Sequence, residues 1–177
     1  AVEKQPDAAF NTLGGGDHLV VWTEGDAGSN LRGVRVSTAG AVATPFDVSL
    51  AAGGQLEASV AFDGANFLVA WTNNSAGKDI YGTRITPADA ILDTTVCGMT
   101  VCGGKVISNA VDGQERPSVS CNGTDCLMIW EDLRTQATTG RDIYGVRWDP
   151  DFTADGAEFA LTANSRDQNQ PAVGNAG

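Results

Sequence analysis

One pattern of about 20 residues occurs three times in this chain and limits what it can become. It reads HLVVWTEGDAGSNLRGVRV over 18–36, FLVAWTNNSAGKDIYGTRI over 67–85 and CLMIWEDLRTQATTGRDIYGVRW over 126–148. Each copy is an apolar run ending at a tryptophan, a polar loop, and a strand-like x-x-x-Gly-x-Arg. Trp22, Trp71 and Trp130 follow at intervals of 49 and 59 residues, and Arg35, Arg84 and Arg147 at 49 and 63. Periods of this length belong to solenoids, propellers and arrays. The chain reads as a repeat protein.

No window shows apolar residues at helical spacing, whereas short β-rich runs separated by Gly, Asn and Asp recur about every ten residues. An all-β chain is expected. The units run approximately 3–54, 55–113 and 114–167, and QNQPAVGNAG at 168–177 begins a fourth. Within the second unit, ILDTTV after the Pro87-Ala88-Asp89 turn is expected as the last strand. CGMTVCGGKVIS then reads as an insertion. LVVW, LVAW and LMIW are apolar on both faces, as expected of a strand sandwiched between neighbouring sheets. Four antiparallel strands in about 50 residues is the size of a propeller blade. The expected fold is therefore three four-stranded β-propeller blades plus one extra strand, with Trp22, Trp71 and Trp130 packed between blades. Closed propellers need at least four blades. Closure by a homodimer, or by further blades of a longer chain, is expected.

The stretches ASVAFDGANFLVAW, PSVSCNGTDCLMIWED, DIYGTRI and DIYGVRW resemble the DIYG-type propeller repeats of secreted and surface-attached bacterial proteins. The resemblance covers nearly the whole chain. The first copy departs from it, with Asn30-Leu31-Arg32-Gly33 in place of Asp-Ile-Tyr-Gly. It implies a propeller used for recognition or scaffolding, and carries no catalytic residue over to this chain.

A net charge of −11 over 177 residues repels phosphate backbones and so excludes nucleic acid and anionic membrane as partners. No apolar run approaches the 18 or so residues of a membrane span. The first residues carry no basic signal segment, so the sequence reads as a mature or trimmed product. Four cysteines form two close pairs, Cys97 with Cys102 and Cys121 with Cys126. Asn122-Gly123-Thr124-Asp125 is a turn that sets the second pair on facing hairpin positions, where a disulfide closes a short loop worth about 2 kcal/mol. A four-thiolate zinc site would need closer spacing. Disulfides imply an oxidising compartment, so the protein is expected to be secreted, periplasmic or at the cell surface.

Catalytic signals are weak. His18 is the only histidine and no G-x-S-x-G elbow is present, which removes the usual nucleophile–base arrangements. Glu131 with Asp142 is the pair a glycosidase or lyase would use as acid and base. The recurrence of Asp79 and Asp142 beside Arg84 and Arg147 instead favours Asp–Arg pairing within a unit. Asp149, Asp151, Thr153 and Asp155-Gly156 mimic the start of a calcium loop, but the spacing fits a turn better. No metal site or cofactor is expected, with calcium the one ion left open.

In a four-stranded blade, the loop between strands two and three and the loop to the next blade emerge on one face. Here those are 23–30, 72–78 and 131–141 with 50–55, 108–116 and 162–170. They carry Glu24, Asp26, Asn73, Asn74, Asp112, Glu115, Glu131, Asp132 and Asp167. An acidic, amide-rich face that differs between copies is where function is expected. Glu24, Asp26, Asn73, Asn74, Glu131 and Asp132 are the candidate binding residues, for a protein or glycan ligand. A carbohydrate-active enzyme and a structural spacer of a larger surface protein are the alternatives.

Overall fold

The computed structural model describes residues 3–25, 29–75, 77–97 and 100–174, and over 95–97 and 100–102 the main chain alone. Among these residues there is no helix. The strands are β1 (Glu3–Asn11), β2 (Asp17–Glu24), β3 (Asn30–Ser37), β4 (Phe46–Ser49), β5 (Gln55–Phe62), β6 (Phe67–Asn73), β7 (Asp79–Ile85), β8 (Thr94–Cys97), β9 (Thr100–Gly103), β10 (Lys105–Ser108), β11 (Gln114–Cys121), β12 (Cys126–Asp132), β13 (Asp142–Trp148) and β14 (Phe159–Ala160). Three four-stranded antiparallel sheets have the orders β1-β2-β3-β4, β5-β6-β7-β10 and β11-β12-β13-β14, with β8-β9 a separate hairpin.

One expected strand is displaced. The outer strand of the second sheet is Lys105–Ser108, not the run from Ile91. Ile91 makes only an isolated bridge to Ile85, as Val42 does to Val36 and Ala154 to Trp148. The outer strand comes after that bridge in every sheet, and β8-β9 is inserted before it in the second. Asp93 lies outside that strand and turns its carboxylate to Arg84, receiving Nε at 3.0 Å and Nη2 at 2.9 Å. The glycine of each x-x-x-Gly-x-Arg strand makes room for the outer strand. A Cβ on Gly82 would lie 2.5 Å from Cδ1 of Ile107, and one on Gly33 2.9 Å from Cζ of Phe46.

The first hairpin of each sheet is closed at the same place by different means. Phe10 faces His18 with ring centroids 4.9 Å apart, Phe62 faces Phe67 at 5.0 Å, and Cys121 is disulfide-bonded to Cys126. His18 is exposed, as a strand residue at this edge should be. The side chains of Cys97 and Cys102 lie outside the described residues.

The sheets stack face to face with β1, β5 and β11 adjacent along one edge. Between the first and second sheets lie Leu19, Val21, Leu31, Val48, Val69 and Trp71; between the second and third lie Leu68, Ala70, Ile80, Met128 and Trp130. All of β6 is buried, because its sheet is covered on both flanks. β2 alternates between buried and half-buried residues because only one of its flanks is covered. Trp71 and Trp130 are fully buried, each against the preceding sheet. Trp22, expected to pack likewise, is half-buried and belongs to neither core, since it faces the flank on which no described sheet lies. The arginines point the other way. Arg35 stacks over Phe67 of the second sheet at 4.3 Å and donates to Thr86 O at 2.6 Å, and Arg84 reaches Pro150 O of the third at 3.2 Å. Arg147 has no further sheet to reach and pairs with Asp155 in its own turn.

The expected pairing of Asp79 with Arg84 and Asp142 with Arg147 does not occur. Those residues sit at opposite ends of β7 and β13, roughly 16 Å apart at the rise of a strand. Asp93 and Asp155, beyond the following turn, pair with Arg84 and Arg147 instead; in the first sheet Asp47 pairs with Arg32, while Arg35 meets Asp17 at 3.5 Å and Asp89 of the second sheet at 2.6 Å.

The innermost strands are joined by a side-chain ladder. Val60 N–H donates to Oδ2 of Asp7 at 2.9 Å, Val119 N–H to Oγ of Ser59 at 3.3 Å, and Val173 N–H to Oγ of Ser118 at 3.1 Å. Two residues before each of these bonds the chain passes through a left-handed residue, Gln5 at φ 52°, Glu57 at 56° and Arg116 at 55°, where the register shifts. Gln170 at 55° continues the series. Residues 168–174 are not assigned to any sheet, yet they take the corresponding place beside Ser118.

Candidate functional site

The loops between second and third strands meet the loops entering the next sheet, so they form one face. Gln55 N–H donates to Ser29 O at 2.9 Å, Gln114 N–H to Lys78 O at 2.5 Å and Gln168 N–H to Arg141 O at 2.9 Å. The buried amides of Gln55 and Gln114 also pin the incoming loops, donating to Ala51 O at 2.9 Å and Ala110 O at 3.0 Å.

This face is acidic in composition but mostly neutralised in structure. Lys78 pairs with Glu115, Glu115 with Arg141, Arg141 with Glu131, Glu131 with Arg116, and Arg116 with Glu57. The chain of charges spans the second and third sheets. Glu131 is fully buried and accepts from Nη1 of Arg116 at 2.9 Å, Nη1 of Arg141 at 2.8 Å and the N–H of Gln170 at 2.7 Å. Its place in the pattern explains the last bond. At the left-handed residues, the N–H of Glu57 is taken by Gln5 and that of Arg116 by Glu57, at 3.1 and 2.9 Å. Arginine has no acceptor, so Glu131 serves Gln170 in its stead. Burial alone would raise Glu115, but the Lys78 ammonium and the Arg141 guanidinium outweigh it and hold its carboxyl below the usual range.

The other candidates are occupied in the same way. Asp132 is fully buried and accepts from Nε1 of Trp130 at 2.9 Å and from Nε and Nη2 of Arg134 at 2.8 and 2.6 Å. Asn73 is buried and caps Ser75 N–H at 3.0 Å, while Glu24 lies 3.4 Å from Nε of Arg32. Asp26 lies outside the described residues. Asn74 is exposed and its side chain has no partner among the described residues. Glu131 and Asp142, the acid–base pair of the enzymatic alternative, are both held as acceptors. Burial would raise Asp142, but the hydroxyls of Thr135, Thr139 and Thr162 and the N–H of Asn164 lower it. A general acid needs the opposite shift.

Asp79 occupies the position on β7 that Asp142 occupies on β13, and its surroundings differ. Five residues separate β6 from β7, against nine between β12 and β13. The longer loop carries Thr135 and Thr139, whose hydroxyls reach Asp142 at 2.6 and 2.7 Å. The shorter one carries the hydroxyl of Ser75, and among the described residues none donates to the Asp79 carboxylate. Burial raises its carboxyl above the usual range. It lines a cleft of about 610 Å³ with Asn74, Lys78, Asn109, Asp112 and Arg141. The sequence contained one sign of this: two aspartates at matched positions followed loops of unequal length and hydroxyl content.

Elsewhere, carboxylate oxygens of Asp125, Asp149 and Asp155 lie within 4.8 Å of one another on the surface. Arg147 already pairs with Asp155 and stands 4.0 Å from Asp125, so one of the three charges is offset from within. The stretch that mimics a calcium loop is a turn, closed by Phe152 N–H to Asp149 O at 2.9 Å. A second hollow of about 670 Å³ lies along the innermost strands at the opposite end, between Phe10, Phe62 and Cys121.

No family model matches the sequence, and no curated protein matches it. Among solved structures, native arabinanase Arb43A of Bacillus subtilis is similar, with a TM-score of 0.52 and 11% sequence identity over 82% of this chain and 52% of that one. The chain therefore spans about half the length of that protein. At this identity the likeness concerns the fold, and it agrees with the stacked sheets in making them blades of a β-propeller.

Proposed function

We propose that this chain is the recognition part of an exported β-propeller of the DIYG type, binding a protein or glycan through the loop face between its second and third blades. The observation that carries the reading is the contrast on that face between satisfied and unsatisfied polar groups. Glu115, Glu131, Asp132 and Asp142 are buried and paired, whereas the side chains of Asn74, Asp79, Asn109 and Asp112 line a cleft without partners among the described residues. Unpaired polar groups converging on a concave surface are what a ligand site requires. The Cys121–Cys126 bond is compatible with an oxidising, extracellular setting.

A carbohydrate-active enzyme is the competing reading, and the arabinanase likeness of the fold does not favour it. Supporting the non-enzymatic one, Glu131 is fixed between two guanidinium groups and Asp142 is held ionised. Incubating the protein with a panel of polysaccharides separates the two. Release of reducing ends that is lost in Glu131→Gln would establish an enzyme; turnover of none, with retention of one on an affinity gel, supports a binding module.

The propeller is closed by sheets beyond these three. Trp22 on one flank and Phe159 and Leu161 on the other, the latter 40% and 47% exposed, offer surfaces like those buried between the described sheets. A second copy of the chain, or further blades of the same polypeptide, fits both flanks. Light scattering tests the first: a mass near twice 18.3 kDa indicates a dimeric ring, and a mass near 18.3 kDa overturns closure by a second copy.

A further inference from the structure

We propose that the cleft beside Asp79 is a saccharide subsite, in which Asp79 accepts, and Asn74 and Asn109 exchange, hydrogen bonds with the hydroxyl groups of a neutral sugar. This rests on the reading of the loop face as a binding surface and names the ligand class.

The inference starts from an internal comparison. At the Asp142 position the chain surrounds a carboxylate with three of its own hydroxyls, those of Thr135, Thr139 and Thr162. At the Asp79 position the same carboxylate is kept, and among the described residues no hydroxyl donates to it. Thr162 corresponds to Ser108, which lies opposite Ile80 in the register, next to Asp79 along the strand. The Ser108 hydroxyl is buried and has no partner among the described residues. A ligand rich in hydroxyls would supply in the second blade what the third supplies from its own loop.

Charge and shape favour a neutral sugar over other small ligands. Lys78 and Arg141, both paired with Glu115, flank the cleft, so a divalent cation would have to compete with two fixed cations for its carboxylates. Asp79 and Asp112 disfavour an anion. Asn74 and Asn109 each offer both a donor and an acceptor, which suits the paired donor and acceptor character of adjacent sugar hydroxyls. Val111, 71% exposed, and Leu133 form an apolar wall on which the C–H face of a ring can rest. About 610 Å³ is the size of a small-ligand site.

The test is a two-dimensional amide NMR titration of the 15N-labelled 177-residue chain with D-galactose, D-mannose, L-arabinose and linear oligosaccharides of each, followed by calorimetry on any binder. The expected result is shifts concentrated at Asn74, Lys78, Asp79 and 109–113. Asp79→Asn and Asn109→Ala should each weaken binding at least tenfold with the urea midpoint unchanged or raised. A sugar that shifts other loops of this face and is indifferent to Asp79→Asn overturns the subsite and leaves the face as a binding surface. Shifts at Asp79 and Asp112 produced by calcium chloride alone, with no response to any sugar, also overturn it. A sugar seated only in the hollow between Phe10, Phe62 and Cys121 overturns both readings.

Discussion

Asp7, on the innermost strand of the first sheet, accepts the N–H of Val60 on the innermost strand of the second at 2.9 Å. The bond leaves one sheet and fixes the next, and Ser59 and Ser118 repeat it for the second and third. Sheets that pack through interchangeable apolar faces can slide; a directional bond at each junction sets how far.

Removing an acceptor from this ladder should therefore cost more than a surface substitution. Asp7→Ala, which also loses Ser59 Oγ as a donor partner, is expected to lower stability by about 2 kcal/mol, and Ser118→Ala by about 1 kcal/mol. Urea unfolding followed by tryptophan fluorescence measures both. Losses indistinguishable from those at exposed turn positions would show that apolar packing alone sets the junction.

The three tryptophans should respond unequally although their sequence contexts match. Trp71→Ala and Trp130→Ala, at fully buried positions, are expected to cost about 3–5 kcal/mol. Trp22→Ala, on the uncovered flank, should cost under about 1.5 kcal/mol in the isolated chain. An equal cost at Trp22 would mean that another sheet covers that flank in solution.

Acidification should unfold the protein at the loop face. Glu115 and Asp142 titrate below the usual carboxylate range when folded. They bind protons more weakly than in the unfolded chain, so their contribution is complete above that range and is lost as pH falls through it toward the folded values. Asp79 has the opposite sign, since its raised carboxyl favours the folded state as it becomes protonated. At neutral pH, Asp79→Asn should raise the melting temperature, and Asp142→Asn should lower it by several degrees. If both lower it equally, the two aspartates share one structural role.

Opening the Cys121–Cys126 bond should loosen the third sheet rather than the first. The loop between Cys121 and Cys126 is already held by three bonds to Oδ1 of Asn122 and by Asn122 N–H to Asp125 O. Opening the disulfide is expected to cost about 2 kcal/mol, with hydrogen exchange rising in β11 and β12 and unchanged in β1 and β2. A change across all three sheets would show that they unfold as one unit.

Much of the architecture was legible because it depends on local pattern. Apolar runs ending at tryptophan, turn residues between them and a glycine before each arginine specify strands and their antiparallel order within a sheet. The facing of Cys121 with Cys126, and of Phe62 with Phe67, followed from the same register. The second sheet's outer strand was misplaced because ILDTTV and KVIS are both adequate β sequences. Only the tertiary structure, which sets Ile107 of KVIS against Gly82, decides between them.

The site was less legible, since a carboxylate's role depends on partners far away in sequence. Glu131 and Asp79 look alike in a list of loop acids. One meets Arg116, Arg141 and Gln170 from three segments and is buried, and the other's carboxylate meets no partner among the described residues and lines a cleft. The sequence by itself determined the strands, their period and the residues able to fill the space between sheets, because those follow from spacing along the chain. The tertiary structure alone decided which flank each tryptophan covers, which acids are neutralised and which remain open, because charge pairing and burial are set by distances that the chain order does not contain.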